Sequence, residues 1–264
     1  MVDAVRDEIH TIRPDLVVVS GDLTQRARNS QYEKARQFLK SLPFPQLVVP
    51  GNHDVAPWHR LVDRLTDGFR DFRNNITADE SPFYEDAELA VVGVNSARIF
   101  SRKGGRINMR QVERCCERLQ GSNRDKVKVL VSHHPFDLPP GHPAQDLIGR
   151  AHLAMKKLSE CNIDVFLSGH LHVSHTCDTA RRYRIEGHAA VSVQAGTAMS
   201  TRLREKFNSW NLLRIERSVI LIDRFQWQAS QQRFAIGSTD RFRYSDTGWV
   251  RTHDLLPNDK MVRA

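Results

Sequence analysis

The chain has 264 residues, of which 40% are hydrophobic and 27% charged, and its formal net charge is +8. These values exclude a fibrous or an intrinsically disordered chain. No apolar run approaches the roughly 20 residues that a membrane-spanning helix needs, and the N-terminus lacks the basic-then-apolar order of a secretory signal. We therefore expect a cytoplasmic protein without a membrane span.

The first two thirds of the chain alternate predicted helices with short apolar segments. Periodic apolar positions predict helices over 2–12, 57–72, 109–119 and 151–161, and a capping-box pattern at 30–33 opens another that runs to about residue 42. Apolar runs predict strands at 16–20, 46–49, 89–94, 127–131 and 164–167. The run at 16–20 is continuous, which is typical of a strand buried on both faces of its sheet.

After residue 167 the pattern changes to β signals with hairpin-like spacing. The segments 173–177, 183–186, 190–194, 209–215 and 219–227 indicate strands. This succession predicts an α/β fold, a four-layer αββα sandwich of two mixed β-sheets flanked by helices. We place the domain at residues 1–240 and expect residues 241–264 to form a polar C-terminal tail.

The four cysteines show no recognisable pairing pattern. Cys115 and Cys116 are adjacent, whereas Cys161 and Cys177 are distant. Neither spacing fits a zinc site or a disulfide framework, so we expect free thiols.

Four short motifs each follow an apolar strand. They are Gly21-Asp22, Gly51-Asn52-His53-Asp54, His133-His134-Pro135 and Gly169-His170-Leu171-His172. In an open α/β sheet, ligands collect outside the carboxyl ends of the strands, so Asp22, Asn52, His133 and His170 should converge. Carboxylate, amide and imidazole ligands together suit Fe, Mn or Zn. The sequence therefore predicts a transition-metal site, and of the adjacent His133 and His134 only one side chain should face it.

In this order the motifs resemble those of the calcineurin-like metallophosphoesterase superfamily, in the branch of bacterial cyclic-nucleotide phosphodiesterases, over about residues 2–225. The resemblance implies two divalent metal ions, an Fe/Mn pair or Zn. Asp22 would bridge the two ions, Asn52, His133 and His170 would complete one of them, and His172 would join the other. For the last two histidines to serve different ions the backbone must turn between them, which Gly169 permits.

The same resemblance implies a hydrolase. The metal ions would activate a hydroxide that attacks a phosphodiester, a cyclic nucleotide or another small diester. His53 would stand beside the leaving group as general acid, with Asp54 behind it.

One part of the family pattern is missing. The family's first strand carries an Asp-x-His pair for the second metal, and no such triplet precedes Asp22. Asp7 and His10 lie three residues apart on a predicted helix, so they are poor substitutes. Two hypotheses compete: the chain begins inside a longer reading frame that encodes the first strand, or this form binds one metal with weak or no turnover. We favour the first.

Other functions remain open. The alternatives are a non-catalytic metal-binding homologue, a pyrophosphatase acting on a nucleotide-linked lipid, and a nuclease. The net charge suits a small phosphodiester and also nucleic acid, which is not favoured because the basic signal is weak. Arg202 and Arg204 follow a predicted strand and are better candidates than other arginines for contacting an anion. The sequence does not reveal the oligomeric state.

Overall fold

The computed structural model describes residues 1–101, 103–123, 125–200 and 207–252. Its helices are α1 (Val2–Ile12), α2 (Asn29–Lys40), α3 (Leu61–Asp67), α4 (Arg70–Asn75), α5 (Met109–Gln120) and α6 (Ala151–Glu160). Its strands are β1 (Val17–Val19), β2 (Gln46–Val48), β3 (Phe83–Glu85), β4 (Leu89–Val94), β5 (Val127–Ser132), β6 (Val165–Ser168), β7 (His175–Asp178), β8 (Val191–Gln194), β9 (Ser209–Glu216), β10 (Val219–Gln228), β11 (Arg233–Ser245) and β12 (Gly248–Thr252).

A six-stranded sheet forms one inner layer, in the order β3-β4-β5-β6-β8-β7. Its central strands β4, β5, β6 and β8 run parallel, and β3 and β7 add antiparallel edges. Every residue of β5 is buried, as expected for a parallel strand covered on both faces. Helices α5 and α6 supply the outer cover and share one apolar core with this sheet.

The prediction of free thiols is wrong for one pair of cysteines. Cys116 of α5 and Cys161, directly after α6, form a disulfide with their Cα atoms 5.5 Å apart. The two residues are 45 positions apart, so only the packing of the helices brings them together. Cys115 and Cys177 are free thiols, and burial raises the pKa of Cys115 to about 11.

The second inner layer consists of the antiparallel sheet β12-β11-β10-β9 and the parallel pair β1-β2. Apolar side chains of both layers meet in a common core, with Val129 and Val191 on one side and Ile220 and Phe242 on the other. Helix α1 packs against the four-stranded sheet, and α2 packs against β2. The predicted αββα sandwich is thereby confirmed.

The predicted polar tail is wrong for the residues that the structure describes beyond position 240. Strand β11 continues through that position, and β12 pairs with it. Trp249 is only 1% exposed, and its Nε1 donates to Asp164 Oδ1 over 2.8 Å. The polar composition is misleading because alternate residues of a half-buried strand face solvent. Residues 253–264 lie outside the described part of the chain.

Three local predictions also differ from the structure. The helix predicted over 57–72 is divided into α3 and α4, and the segment 183–186 contributes only a bridge between Ile185 and His188. The valines of β1 are half-buried rather than fully buried, since β1 pairs with β2 along one edge.

Arg202 and Arg204 lie in 201–206, outside the described residues. None of the described helices has the length and apolar character to cross a membrane.

Candidate metal centre

Two pairs of parallel strands bring the predicted metal ligands together. Asp22 and Asn52 follow the paired strands β1 and β2, and His133 and His170 follow the paired strands β5 and β6. Gly169 N donates to His133 O over 3.0 Å, which holds the two histidine loops side by side. Asp22 and His170 have positive φ angles of 57° and 71°. This conformation is uncommon for residues other than glycine and clusters at functional sites.

Three ligand atoms form a small triangle at this edge. Asn52 Oδ1 lies 3.0 Å from His133 Nε2 and 3.0 Å from His170 Nδ1, and the two nitrogens are 3.2 Å apart. Asp22 Oδ1 lies 3.4 Å from His133 Nε2. Two ligands about 2.1 Å from one ion, at right angles to each other, are about 3.0 Å apart. The four atoms therefore have the spacing of ligands around one divalent cation.

The hydrogen bonds of His133 also fit a cation. His133 Nδ1 lies 2.7 Å from the backbone oxygen of Ser20, which can only accept, so Nδ1 carries the proton. In the neutral ring Nε2 then presents a lone pair towards Asn52 Oδ1, which is another acceptor. A cation held by these two groups would remove the repulsion between their lone pairs. The Ser20 carbonyl orients the imidazole, as the second partner of a metal-binding histidine commonly does.

Glycines allow the loops to approach so closely. A Cβ at Gly51 would lie 2.2 Å from Asp22 Oδ1, and one at Gly21 would lie 2.7 Å from His133 Nδ1. Real Cβ atoms do not approach other heavy atoms so closely, so any larger residue would displace a ligand. The glycines of both motifs are therefore part of the site.

The turn that the sequence predicts at Gly169 is made by its neighbours. His170 and His172 have positive φ angles of 71° and 57°, whereas a Cβ at Gly169 would lie 2.9 Å from Ser20 Oγ. Gly169 is thus needed for close packing, and the histidines themselves reverse the chain. His172 Nδ1 lies 2.6 Å from Thr197 Oγ1. Its role as a ligand of a second cation stays a prediction.

His53 lies in a short 3-10 turn, Asn52–Asp54, next to the ligand Asn52. Its Nδ1 lies 2.8 Å from Gln25 O, so Nδ1 donates and Nε2 is left for proton transfer. The backbone N–H of His53 donates to Asp22 Oδ1 over 2.9 Å. Its predicted role as general acid stays a prediction, and its ring is held in one orientation.

The support predicted for His53 from Asp54 is wrong. The buried Asp54 carboxylate instead accepts from Gly51 N (2.9 Å), Leu23 N (3.2 Å), Thr24 N (2.9 Å) and Thr24 Oγ1 (3.0 Å). It ties the loop after β1 to the loop after β2. Burial, and secondarily the charge of Asp22, raise the pKa of Asp54 to about 6. Asp54 is therefore a positioning residue, because four backbone and hydroxyl donors of the two loops surround it.

His134 supports the histidine cluster from behind. One nitrogen each of His133, His134 and His170 lies within 4.8 Å of the others. However, His134 Nδ1 lies 2.9 Å from Ser96 Oγ and Nε2 lies 2.8 Å from Lys103 O, so both nitrogens have protein partners. Burial, and then the two neighbouring imidazoles, lower the pKa of His134 to about 2. This ring stays neutral and packs against His170, with centroids 4.4 Å apart.

Several groups that position the ligands carry no signal in the sequence. The Ser20 carbonyl is a backbone atom, and the Tyr32 hydroxyl, which donates to Asp54 O over 2.6 Å, belongs to a core residue of α2. Gly105 packs on the face of His134, where a Cβ would lie 2.2 Å from Cγ. Only the contacts of the folded chain identify these groups.

Comparison with known proteins agrees with the geometry. The model of one protein family, described as calcineurin-like phosphoesterase, matches residues 2–174, which is more than half of the chain. The chain belongs to the calcineurin-like phosphoesterase family. The family uses dinuclear metal centres, and the histidine cluster lies within the matched region.

Two curated relatives of this calcineurin-like phosphoesterase match over part of their length. This chain is 30% identical over 123 residues to a probable glycerophosphodiester phosphodiesterase, GpdQ, of Arcobacter nitrofigilis. The match covers 47% of this chain and 42% of the relative. The chain is 27% identical over 126 residues to a probable cyclic nucleotide phosphodiesterase of Synechococcus sp., covering 46% and 43%. The chain thus matches less than half the length of each relative.

Solved structures show the same fold at low identity. The structure of PhoD superposes with a TM-score of 0.69 at 10% identity, covering 98% of this chain and 70% of PhoD. A dimetal phosphatase from Danio rerio superposes with a TM-score of 0.61 at 14% identity, covering 92% of this chain and 89% of that one. At such identities the likeness shows the fold alone.

Proposed function

We propose that this chain hydrolyses the phosphodiester bond of a small substrate, a cyclic nucleotide or another small diester, at the metal centre. The observation that carries the proposal is the triangle of Asn52 Oδ1, His133 Nε2 and His170 Nδ1, with Asp22 beside it. The names of the two curated relatives, a glycerophosphodiester phosphodiesterase and a cyclic nucleotide phosphodiesterase, support a small diester as substrate.

The donor set fits divalent transition metals. One carboxylate oxygen, one amide oxygen and two imidazole nitrogens suit Fe, Mn or Zn better than Ca or Mg. Asp22, Asn52, His133 and His170 would hold one ion, and Asp22 and His172 would contribute to a second. Such ions supply a Lewis acid for the phosphoryl oxygen and activate water. The chain contributes the orientation of the ligands, through Ser20 O and Asp54.

His53 is the proposed proton donor to the departing oxygen. The Gln25 carbonyl holds the Nδ1–H group, so in the imidazolium form the Nε2–H proton is the one that can be transferred. General acids of this kind contribute about 10²- to 10⁴-fold to the rate. The backbone bond from His53 N to Asp22 Oδ1 holds the His53 backbone beside this ligand.

The metal assignment is tested by metal content and by hydrolysis of bis(p-nitrophenyl) phosphate. We expect Asn52→Ala to lose tightly bound metal and turnover together, because it removes an atom of the ligand triangle. His142→Ala is the matched control, since His142 lies in a loop with Nδ1 facing Asp146 at 3.7 Å. An Asn52→Ala protein with wild-type metal content and turnover would refute the proposal.

The proton-donor assignment is tested by the leaving group. We expect His53→Ala to lower kcat strongly for a diester with an alkoxide leaving group and much less for one with p-nitrophenolate, which departs without a proton. Metal content should stay at the wild-type value. An equal loss for both leaving groups would show that His53 acts in another way.

A second candidate is a protein that binds one cation with weak or no turnover. The observation that favours it is the uneven supply of ligands: four described side chains surround one position, whereas Asp22 and His172 are the described candidates for another. Metal stoichiometry separates the candidates. One ion per chain without turnover supports the second, and two ions with robust turnover support the first.

A further inference from the structure

A cavity of about 460 Å³ lies at the carboxyl end of β4, beside the metal centre. Its polar lining comes from three arginines and three amides: Arg98, Arg106, Arg150, Asn95, Asn108 and Gln111. Among the residues that the structure describes, no acidic one lines it. Three guanidinium groups around one opening make a strongly positive cavity.

The three arginines have no carboxylate partner among the described residues. Ion pairs elsewhere occupy many arginines of this chain, but none of those in the described part involves Arg98, Arg106 or Arg150. The pKa of Arg106 is lowered, first by the positive charge of Arg150, then by burial and by Arg98. Mutual repulsion of this kind destabilises the free protein slightly, and a bound anion would relieve it.

The backbone fixes where these side chains start. Arg106 and Gly149 form an isolated parallel bridge, in which Gly149 N donates to Gly105 O and Ile107 N donates to Gly149 O. Arg106 N also donates to Ser96 O over 2.9 Å. Arg150, which follows Gly149, has a φ of 70° and is the N-cap residue of α6. The two arginines are therefore held beside each other before any ligand arrives.

The amides of the cavity already have partners. Asn108 Oδ1 accepts from Gln111 N over 3.0 Å, and Gln111 Nε2 donates to Asn95 O over 2.7 Å. Asn95 Nδ2 donates to Glu80 Oε2 over 2.7 Å. These bonds make a rigid floor, and the guanidinium groups supply the donors for a ligand. The planar guanidinium group of arginine can donate to two phosphate oxygens at once, which other side chains do less well.

The cavity adjoins the metal centre. Val94, the last residue of β4, is paired with Ser132, so Asn95 lies beside His133. Ser96 contacts His134 over 2.9 Å. Since neighbouring strands are about 5 Å apart, the cavity is on the order of 10 Å from the ligand triangle. A substrate that spans both sites needs a second anionic group at that distance from the phosphorus under attack.

We propose that Arg98, Arg106 and Arg150 bind a second phosphate group of the substrate. The substrate class is then a phosphodiester with a further phosphate group. That group is attached either to the alcohol that leaves or to the alcohol that stays esterified. The assignment of this phosphate to the substrate rests on the function proposed above, whereas the anion site itself does not.

The test uses two nitrophenyl thymidylate diesters that differ only by a second phosphate on the sugar. The measured quantity is the ratio of kcat/KM with the second phosphate to kcat/KM without it. We expect Arg106→Gln and Arg150→Gln each to lower this ratio by about tenfold or more, since each removes a charge-assisted hydrogen bond. Arg110→Gln is the control, because it removes the same charge from an exposed position on α5 and should keep the wild-type ratio.

A ratio that is the same in Arg106→Gln, Arg150→Gln and the wild type overturns the proposal. Free phosphate is the other ligand with the same chemistry, so its effect on the hydrolysis rate of the diester without the second phosphate is measured as well. If free phosphate changes that rate in the wild type but not in Arg106→Gln, the cavity is an effector site. The assignment of the second phosphate to the substrate is then wrong. If neither diester is hydrolysed, the proposed function fails. Calorimetric binding of pyrophosphate to the full chain then decides the anion site: weaker binding in Arg106→Gln than in Arg110→Gln supports it, and equal binding overturns it.

Discussion

Replacing Trp249 by phenylalanine measures how much the packing of the last two strands contributes to the stability of the domain. The indole Nε1 donates to Asp164 Oδ1 over 2.8 Å, and Lys128 N donates to Asp164 Oδ2 over the same distance. A hydrogen bond to a charged group contributes about 1.5–3 kcal/mol. The smaller ring also leaves about 40 Å³ of space, which costs about 1 kcal/mol. We therefore expect the free energy of unfolding to fall by about 2.5–4 kcal/mol.

The pH dependence of this difference gives a second check. Burial raises the pKa of Asp164, and the bonds from Lys128 N and Trp249 oppose that shift. Removing the indole raises the pKa further, so the variant loses most stability where Asp164 is ionised. The difference between variant and wild type should shrink as the pH falls through the raised pKa, since protonation removes the charge that the indole stabilises.

Urea unfolding at several pH values provides the assay. Trp58→Phe is the control, because Trp58 is 41% exposed and a phenyl ring can still pack under the Arg64 guanidinium. We expect this control to unfold within about 1 kcal/mol of the wild type. If Trp249→Phe unfolds like the wild type at neutral pH, the strands beyond residue 240 behave as a tail, and the packing argument for them is wrong.

Three further predictions concern the disulfide and the site. The bond between Cys116 and Cys161 spans 45 residues, which corresponds to about 4 kcal/mol of loop entropy, so reductant should lower wild-type stability by up to that amount and leave Cys161→Ser unchanged. Asp54→Asn should weaken metal binding by about 10- to 100-fold in calorimetry; a loss of kcat at wild-type metal affinity would instead support a contact with the general acid. Gly105→Ala should destabilise the protein by about 1–3 kcal/mol in urea, because its Cβ displaces the His134 ring.

The elements with local signals were predictable from the sequence. The strand predicted at 89–94 has the bounds of β4, and the helices predicted from 109 and 151 begin at those residues. Asp22, Asn52, His133 and His170 could be placed at one edge without any contact data. Each follows a parallel strand, and the carboxyl ends of such strands meet.

Features that depend on distant packing were not predictable. Cys116 pairs with Cys161 because α5 and α6 lie side by side, and nothing in the spacing of the cysteines records that neighbourhood. The partner of Asp54 is likewise set by the approach of two loops, 30 residues apart, around one carboxylate. A motif gives the chemical type of a residue, whereas the contacts determine whether it reacts or positions its neighbours.

The metal centre also links the two inner layers of the fold. Asp22 and Asn52 follow strands of one layer, and His133 and His170 follow strands of the other. The bond between His133 Nδ1 and the carbonyl before Gly21 crosses the same gap. A cation that binds all four side chains therefore binds only after the layers have packed, and at a thousandfold excess over Kd it stabilises the folded chain by about 4 kcal/mol. Variants that loosen the core between the layers should consequently weaken metal binding, even when they touch no ligand.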